Sequence, residues 1–124
     1  EGDDLTLIAW GAMLKTCTEA IEKLSNKYSV ELIDLRTINP YDAETVIASV
    51  KKTGRCVIAH EAIRTCGFAA ELIASINEKA LLSLEAPVVR VTSPDVPLPL
   101  AKLEGYFLPD VNRVIKGIEK VMSF

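Results

Sequence analysis

His60, Glu61 and Arg64 bring the chain's only histidine, a carboxylate and a guanidinium together within five residues. Histidine titrates near neutral pH, so a His–Glu pair is the best candidate in this chain for acid–base chemistry. The three residues follow the apolar run 56–59 and precede a helical pattern that begins at Phe68, which predicts a strand-to-helix corner. Because no nucleophile or cofactor motif accompanies them, the pattern favours a structural role. We therefore assign no firm catalytic residue, and we expect His60, Glu61 and Arg64 to organise contacts at a subunit interface.

The three cysteines offer a second possible chemistry. Cys17 falls within a helical pattern and Cys56 within a strand pattern, so both are expected to be small core residues. Cys66 precedes a predicted helix, where a thiolate is favoured, but we expect it to pack in the corner. An odd number of cysteines without close pairing indicates a reducing compartment. A single histidine without a CxxC motif predicts no metal site.

A nucleotide site would need a glycine-rich turn, and the sequence contains no such motif. Gly11 is the only glycine in the turn after the first apolar run, whereas phosphate-binding fingerprints use several glycines. An independent flavodoxin-like module that binds a nucleotide or serves regulation remains the alternative interpretation.

Two further features suggest partners. Glu85 reads as a solvated acid in the loop before the last strand, and the terminal carboxylate of Phe124 follows an apolar helix. Together they predict a small anionic patch for a basic partner. Asp34 and Arg36, two residues apart, predict an internal or interfacial ion pair.

The elements that must position these residues alternate along the chain. Apolar runs predict strands over residues 5–10, 30–35, 55–59 and 88–92, and helical periodicity predicts helices over 12–24, 43–54, 68–80 and 111–121. Asp42 and Asp110 are expected N-caps, and Gly54 an expected C-terminal cap. The alternation predicts a three-layer α/β/α sandwich with a mainly parallel sheet, in the order second-first-third-fourth.

Composition narrows the class of protein. A length of 124 residues suits one domain, with the whole of 1–124 in it. The net charge of −3 gives no positive field for nucleic acid, and no apolar run reaches the length of a membrane span. The acidic start without an initiator methionine indicates a piece of a longer protein.

Several spaced signatures resemble one family from end to end. They are residues 34–40 (DLRTINP), 52–55 (KTGR) followed by 60–62 (HEA), and 84–91 (LEAPVVRV) followed by 94–97 (PDVP). In this order they are similar to the carboxyl-terminal domain of the beta subunit of the thiamine-diphosphate-dependent 2-oxoacid dehydrogenase decarboxylating component. That domain belongs to the transketolase carboxyl-terminal group. The resemblance implies one further antiparallel strand upstream of Glu1, and without it a sheet edge open to another copy.

The resemblance also implies a function. The full enzyme decarboxylates a 2-oxoacid, pyruvate or a branched-chain acid, on thiamine diphosphate with magnesium, and acylates lipoyl groups. It is an oxidoreductase acting on the oxo group with a disulfide acceptor. The cofactor lies in other parts of the enzyme, so this domain is expected to bind none and to be inactive alone.

The partners implied by the resemblance are an alpha subunit and a second beta subunit in a heterotetramer, and the peripheral-subunit-binding domain of the dihydrolipoyl acyltransferase. Glu85 and Phe124 match the positions that dock this domain. The implied location is the cytoplasm of a prokaryote, or the mitochondrial matrix if the source is eukaryotic.

Overall fold

A computed structural model describes residues 1–99 and 101–124. The elements in these residues are four strands and five α-helices: β1 (Leu5–Ala9), α1 (Met13–Leu24), β2 (Val30–Asp34), α2 (Ala43–Thr53), β3 (Cys56–Ile63), α3 (Ala69–Ala80), β4 (Val89–Ser93), α4 (Glu104–Phe107) and α5 (Val111–Met122). Two 3-10 turns lie at Leu81–Ser83 and Ala101–Leu103.

The four strands form one parallel sheet in the order β2-β1-β3-β4. The predicted fold class and strand order are therefore confirmed. Central strand β1 is buried along its whole length, as expected for a parallel strand with helices on both faces. The first core lies between the sheet and helices α1 and α5, and the second between the sheet and helices α2 and α3. These two cores make the three layers.

Local signals placed most of the helix ends correctly. The Asp42 carboxylate accepts a hydrogen bond from the Thr45 N–H at 3.0 Å, and the Asp110 carboxylate accepts one from the Arg113 N–H at 2.8 Å. Both are therefore N-caps, as predicted. Gly54 ends α2 in the left-handed region, with φ of 68°. A side chain there would be strained and would also press on Glu85, which explains the glycine.

The third strand differs from its prediction. It continues through Ile63, whereas the sequence pattern predicted an end at Ala59. Its pairing with β4 steps from Ala59–Val91 to Ile63–Ser93, so β3 contains two extra residues opposite β4. Such a bulge bends the strand and re-aims its side chains. The sequence pattern did not predict this extension, because the polar residues at 60 and 61 are typical of a strand end.

One buried polar cluster links the sheet to α2. The Thr6 hydroxyl is fully buried and lies 2.7 Å from the Ser49 hydroxyl and 2.8 Å from the Thr53 hydroxyl. Ser49 also donates to the Glu31 carboxylate at 2.5 Å. These bonds satisfy hydroxyl groups that burial would otherwise leave costly.

Candidate functional site

The carboxyl ends of the strands gather the candidate residues at one edge of the sheet. Trp10 and Gly11 follow β1, Asp34 ends β2, and the bulged end of β3 carries His60. This edge is where parallel α/β sheets usually place their sites. The Asp34 carboxylate accepts a hydrogen bond from Arg36 Nε at 3.1 Å, so the two residues do form an ion pair. The Arg36 side chain is 87% exposed, so the pair lies at the surface and is not internal.

His60 lies inside the protein and not at its surface. Its side chain is only 1% exposed. The Trp10 ring stacks on it, with centroids 5.3 Å apart and an interplanar angle of 14°. Phe68 packs edge-on against Trp10, and Tyr41 edge-on against Phe68. The corner is therefore a series of aromatic contacts that begins at the imidazole and continues through Trp10 and Phe68 to Tyr41, a setting that stabilises the loop by stacking and burial.

Gly67 closes the cluster from the loop side. A Cβ on this residue would lie 2.7 Å from His60 Cε1 and 2.6 Å from the Ile63 carbonyl oxygen. Because real Cβ atoms do not approach other atoms so closely, only glycine lets the loop lie against the imidazole. The HEA motif and the glycine seven residues after His60 thus form one packing unit.

Burial disfavours the protonated form of the His60 imidazole. Neither ring nitrogen has a hydrogen-bond partner within the described chain. Desolvation lowers the pKa of His60 below its ordinary value, and the nearby positive charge of Arg90 lowers that pKa further. Protonation at neutral pH is therefore disfavoured, which fits a packed ring better than a proton carrier.

Glu61 and Arg64 do not combine with His60 into an acid–base pair. Both side chains are exposed, whereas the His60 side chain is buried. In residues 1–99 and 101–124, no salt bridge joins Glu61 to Arg64 and no hydrogen bond joins Glu61 to His60. His60 is therefore a buried ring, whereas Glu61 and Arg64 are surface charges.

The loop after β3 is tied to the loop after β4. The Asp95 carboxylate accepts hydrogen bonds from the Thr65 N–H at 2.8 Å and the Thr65 hydroxyl at 2.7 Å. The bond from the Thr65 N–H is the main cause that lowers the pKa of Asp95. Arg90 Nη1 donates to the Arg64 carbonyl at 3.0 Å. These contacts fix where the Glu61 and Arg64 side chains emerge.

The cysteines follow the predictions at two positions of three. Cys17 and Cys56 are buried, and desolvation raises the pKa of the Cys17 thiol to about 12 and raises the pKa of Cys56 as well. Cys66, expected to pack in the corner, is exposed with φ of 57°. The prediction for Cys66 was wrong because the Gly67 backbone occupies the space next to His60.

The second group of candidates lies at the other end of the sheet. Helix α5 runs antiparallel to β4, since Arg113 contacts Thr92 while Gly117 lies against Val91. Phe124, two residues after α5 ends, is therefore at the end where β4 begins, and it is 67% exposed. Glu85 precedes β4 at that same end. Thus Glu85 and Phe124 share one end, while His60, Glu61 and Arg64 lie at the opposite end.

Glu85 is more constrained than a free loop acid. Its carboxylate lies 2.5 Å from Arg55 Nη1, and its N–H donates to the Gly54 carbonyl at 2.8 Å. The Glu85 side chain is still 59% exposed, whereas the Arg55 side chain is 24% exposed. Glu85 is thus an exposed acid, as expected, that is also paired with Arg55, and its carboxylate remains accessible to a partner.

The sequence did not indicate the roles of several residues that shape the two ends of the sheet. Trp10 was predicted at the end of a strand and Arg55 at the start of one, and Asp95 entered only as part of the family signature at 94–97. The position of Trp10 directly before Gly11, at the carboxyl end of β1, could have indicated that its ring packs on a neighbouring strand end. The pairing of Arg55 with Glu85 and of Asp95 with Thr65 had no local signal, because each pair is 30 residues apart in sequence.

The residues that the structure describes hold neither a candidate metal cluster nor a membrane-spanning helix. They contain no group of three or more His, Cys, Asp or Glu residues placed to hold a metal ion. None of their helices has the length and apolar character needed to cross a membrane.

Comparisons with known proteins place the chain among characterised relatives. It is 48% identical over its whole length to the mitochondrial 2-oxoisovalerate dehydrogenase subunit beta of Dictyostelium discoideum, and 44% identical to the pyruvate dehydrogenase E1 component subunit beta of Bacillus subtilis. It covers 34% and 38% of these proteins, so the chain spans about a third of the length of the curated relatives it matches. The resemblance drawn from the spaced motifs is confirmed.

Solved structures agree with this placement. A split gene transketolase, described as an inactive beta4 tetramer, superposes with a TM-score of 0.84 at 28% identity, over 99% of this chain and 39% of that one. The 2-oxoglutarate:ferredoxin oxidoreductase of Magnetococcus marinus, at 19% identity and a TM-score of 0.57 over 95% of this chain and 18% of that one, shares the fold. The family model for the transketolase C-terminal domain matches residues 1–114. The chain therefore belongs to the transketolase C-terminal domain family.

Proposed function

We propose that this chain is the carboxyl-terminal assembly domain of the beta subunit of a 2-oxoacid dehydrogenase decarboxylating component. The observation that carries the proposal is the identity of 44–48% over the whole chain to beta subunits of two such enzymes. One of those relatives is named for 2-oxoisovalerate and the other for pyruvate, so either class of 2-oxoacid fits. The full enzyme decarboxylates its 2-oxoacid oxidatively with thiamine diphosphate and magnesium, and acylates lipoyl groups.

Cofactor binding belongs to other parts of that enzyme. The turn after β1 offers a single exposed glycine, Gly11, with no side chain or backbone within 4 Å of the position of a Cβ. A diphosphate requires several backbone N–H groups or basic side chains converging on it, and this turn does not fit that need. We therefore assign no step of the reaction to thiamine diphosphate held by this chain.

Subunit association is the first role that we assign to the domain. Arg64 projects from the loop that Asp95 and Arg90 hold in place, and Glu61 projects from the end of β3 that leads into this loop. Both exposed charges are therefore presented next to a fixed turn. His60 supports that loop from inside and does not itself reach the surface. The alpha subunit and a second beta subunit are the partners that we assign to this association.

Acyltransferase docking is the second role, and we assign it to the opposite end of the sheet. The exposed Glu85 carboxylate suits a basic partner such as a peripheral-subunit-binding domain, and the exposed Phe124 lies at the same end of the sheet. Arg55 orients Glu85, and its positive charge reduces the field of the carboxylate without covering it.

Replacement of Glu85 by glutamine tests the docking role. In the complete heterotetramer, E85Q should weaken acyltransferase binding by about fivefold at low salt, the effect of losing one exposed charge pair. The loss should shrink as salt rises. Titration calorimetry at two ionic strengths measures both.

Arg55→Gln is the matched control, since it breaks the same internal ion pair but keeps the Glu85 carboxylate. It should leave acyltransferase affinity unchanged or raise it slightly. Equal weakening by E85Q and R55Q would mean that the turn geometry matters and the Glu85 charge does not. Unchanged affinity in E85Q would remove Glu85 from the docking surface.

A further inference from the structure

A groove follows the outer edge of β4, between the loop after β3 and helix α5. Its volume is about 410 Å³, within the range typical of sites for small molecules. Its charged lining consists of five basic residues and one acidic residue: Arg64, Arg90, Arg113, Lys116, Lys120 and Asp95. In a chain with a net charge of −3, this is a strong local concentration of positive charge.

Two of these positive charges are held in place by bonds to carbonyl oxygens, and Asp95 offsets part of the charge of Arg64. Arg90 donates to the Arg64 carbonyl, and Arg113 donates to the carbonyls of Phe107 and Thr92. Bonds to carbonyls orient a guanidinium and leave its charge intact. The one acid of the groove, Asp95, is already bonded to Thr65. Among the described residues, none of the five basic side chains forms a salt bridge.

Ser93 provides a separate indication of a ligand. It lines the groove, is 1% exposed, and its hydroxyl has no hydrogen-bond partner in the described chain. An unsatisfied buried hydroxyl costs about 1–3 kcal/mol. A hydroxyl left without a partner beside a cluster of positive charges is suited to donate to an anion in the groove.

The edge of β4 favours a compact anion over an extended peptide. A peptide that added to the sheet would need the outward carbonyl groups of β4. The Thr92 carbonyl is already bonded to the Arg113 guanidinium, which blocks that edge near its carboxyl end.

We propose that this groove binds a small polyvalent oxyanion of the phosphate type. Guanidinium groups of Arg64 and Arg90 would bind phosphate oxygens through paired N–H donors, and Lys116 and Lys120 would add charge. The Ser93 hydroxyl would donate the bond that makes the site selective. The groove includes neither Glu85 nor Phe124, so the proposal does not depend on the docking role. Arg64 is shared with the proposed subunit contact, and the 124-residue chain alone leaves it free to bind an anion.

Inorganic pyrophosphate is the probe, titrated calorimetrically into the 124-residue chain at constant ionic strength. We expect saturable binding with one site. Lys116→Gln and Lys51→Gln form a matched pair, because both remove one exposed lysine charge but only Lys116 lines the groove. K116Q should weaken binding about fivefold and K51Q should leave it unchanged.

Ser93→Ala tests whether the anion binds through a specific hydrogen bond or only through general charge attraction. S93A should weaken pyrophosphate binding about tenfold, the effect of losing one hydrogen bond to a charged group, while urea unfolding shows no loss of stability. Equal effects of K116Q and K51Q, full affinity in S93A, or no saturable binding would each overturn the proposal. Binding of a polyglutamate peptide in preference to pyrophosphate would also overturn it and would identify the groove as a protein-docking surface.

Discussion

Acidification should destabilise this protein through His60 before its carboxylates titrate. The folded state lowers the pKa of His60 below its ordinary value of 6.5, mainly by desolvation. The unfolded chain therefore binds a proton more readily than the folded chain. The stabilising contribution of the neutral ring is fully present above pH 6.5, and it is lost as the pH falls from there through the folded pKa.

The size of the effect follows from one titrating group. While the unfolded state is protonated at this residue and the folded state is not, stability falls by about 1.4 kcal/mol per pH unit. The carboxylates with lowered pKa values, Glu31, Asp42 and Asp95, have ordinary values of 4.5, 3.8 and 3.8, so their contributions are lost at lower pH. The range from pH 6.5 to 5 thus isolates His60, the only histidine.

Urea unfolding at half-unit steps from pH 8 to pH 5 measures the slope. His60→Phe is the comparison, since phenylalanine retains an aromatic ring against Trp10 and removes the titration. The wild-type chain should lose stability below pH 6.5, while H60F should be flat in that range. Because the slope is compared, a constant offset from the larger ring does not matter. Parallel pH profiles, or a wild-type stability that rises on acidification, would refute the account of a buried neutral imidazole.

Two further substitutions test the packing of the two ends of the sheet. Gly67→Ala places a Cβ 2.7 Å from His60 Cε1 and should lower the free energy of unfolding by about 1–3 kcal/mol through overpacking, measured by urea denaturation. Unchanged stability would show that the loop moves freely away from the ring. Thr6→Val removes the hydroxyl shared by Ser49 and Thr53 and should cost about 1 kcal/mol, read from the shift in the urea midpoint. A gain in stability would mean that the buried hydroxyl cluster is a net penalty.

Local features of the chain predicted the fold well for reasons that are visible in single elements. The run of β1 is apolar except for Thr6 and is suited to a position between two layers of helices, so it indicated a parallel sheet. Asp42 and Asp110 sit three residues before the N–H groups that they cap, and Gly54 adopts a φ that other residues avoid. Each of these caps depends only on residues within four positions of it in the sequence.

The β3 corner shows where such reasoning failed. A polar residue after an apolar run is typical of a strand end, yet β3 continues through His60 because a bulge turns the imidazole into the core. That bulge depends on pairing with β4, which lies about 30 residues later in the sequence. The exposure of Cys66 is a consequence of the same arrangement, since Gly67 takes the place next to the ring.

Sequence alone determined the family, the layer architecture, the strand order and most helix ends, because each depends on motif order, hydrophobic period or local capping. Tertiary structure decided the chemistry of the candidate residues. It buried His60 against the Trp10 ring and paired Glu85 with Arg55. It also placed Glu85 and His60 at opposite ends of the sheet. It also gathered five scattered basic residues and the Ser93 hydroxyl into one groove. Burial, pKa and charge density are set by atoms that are close in space, and most of those neighbours are distant along the chain.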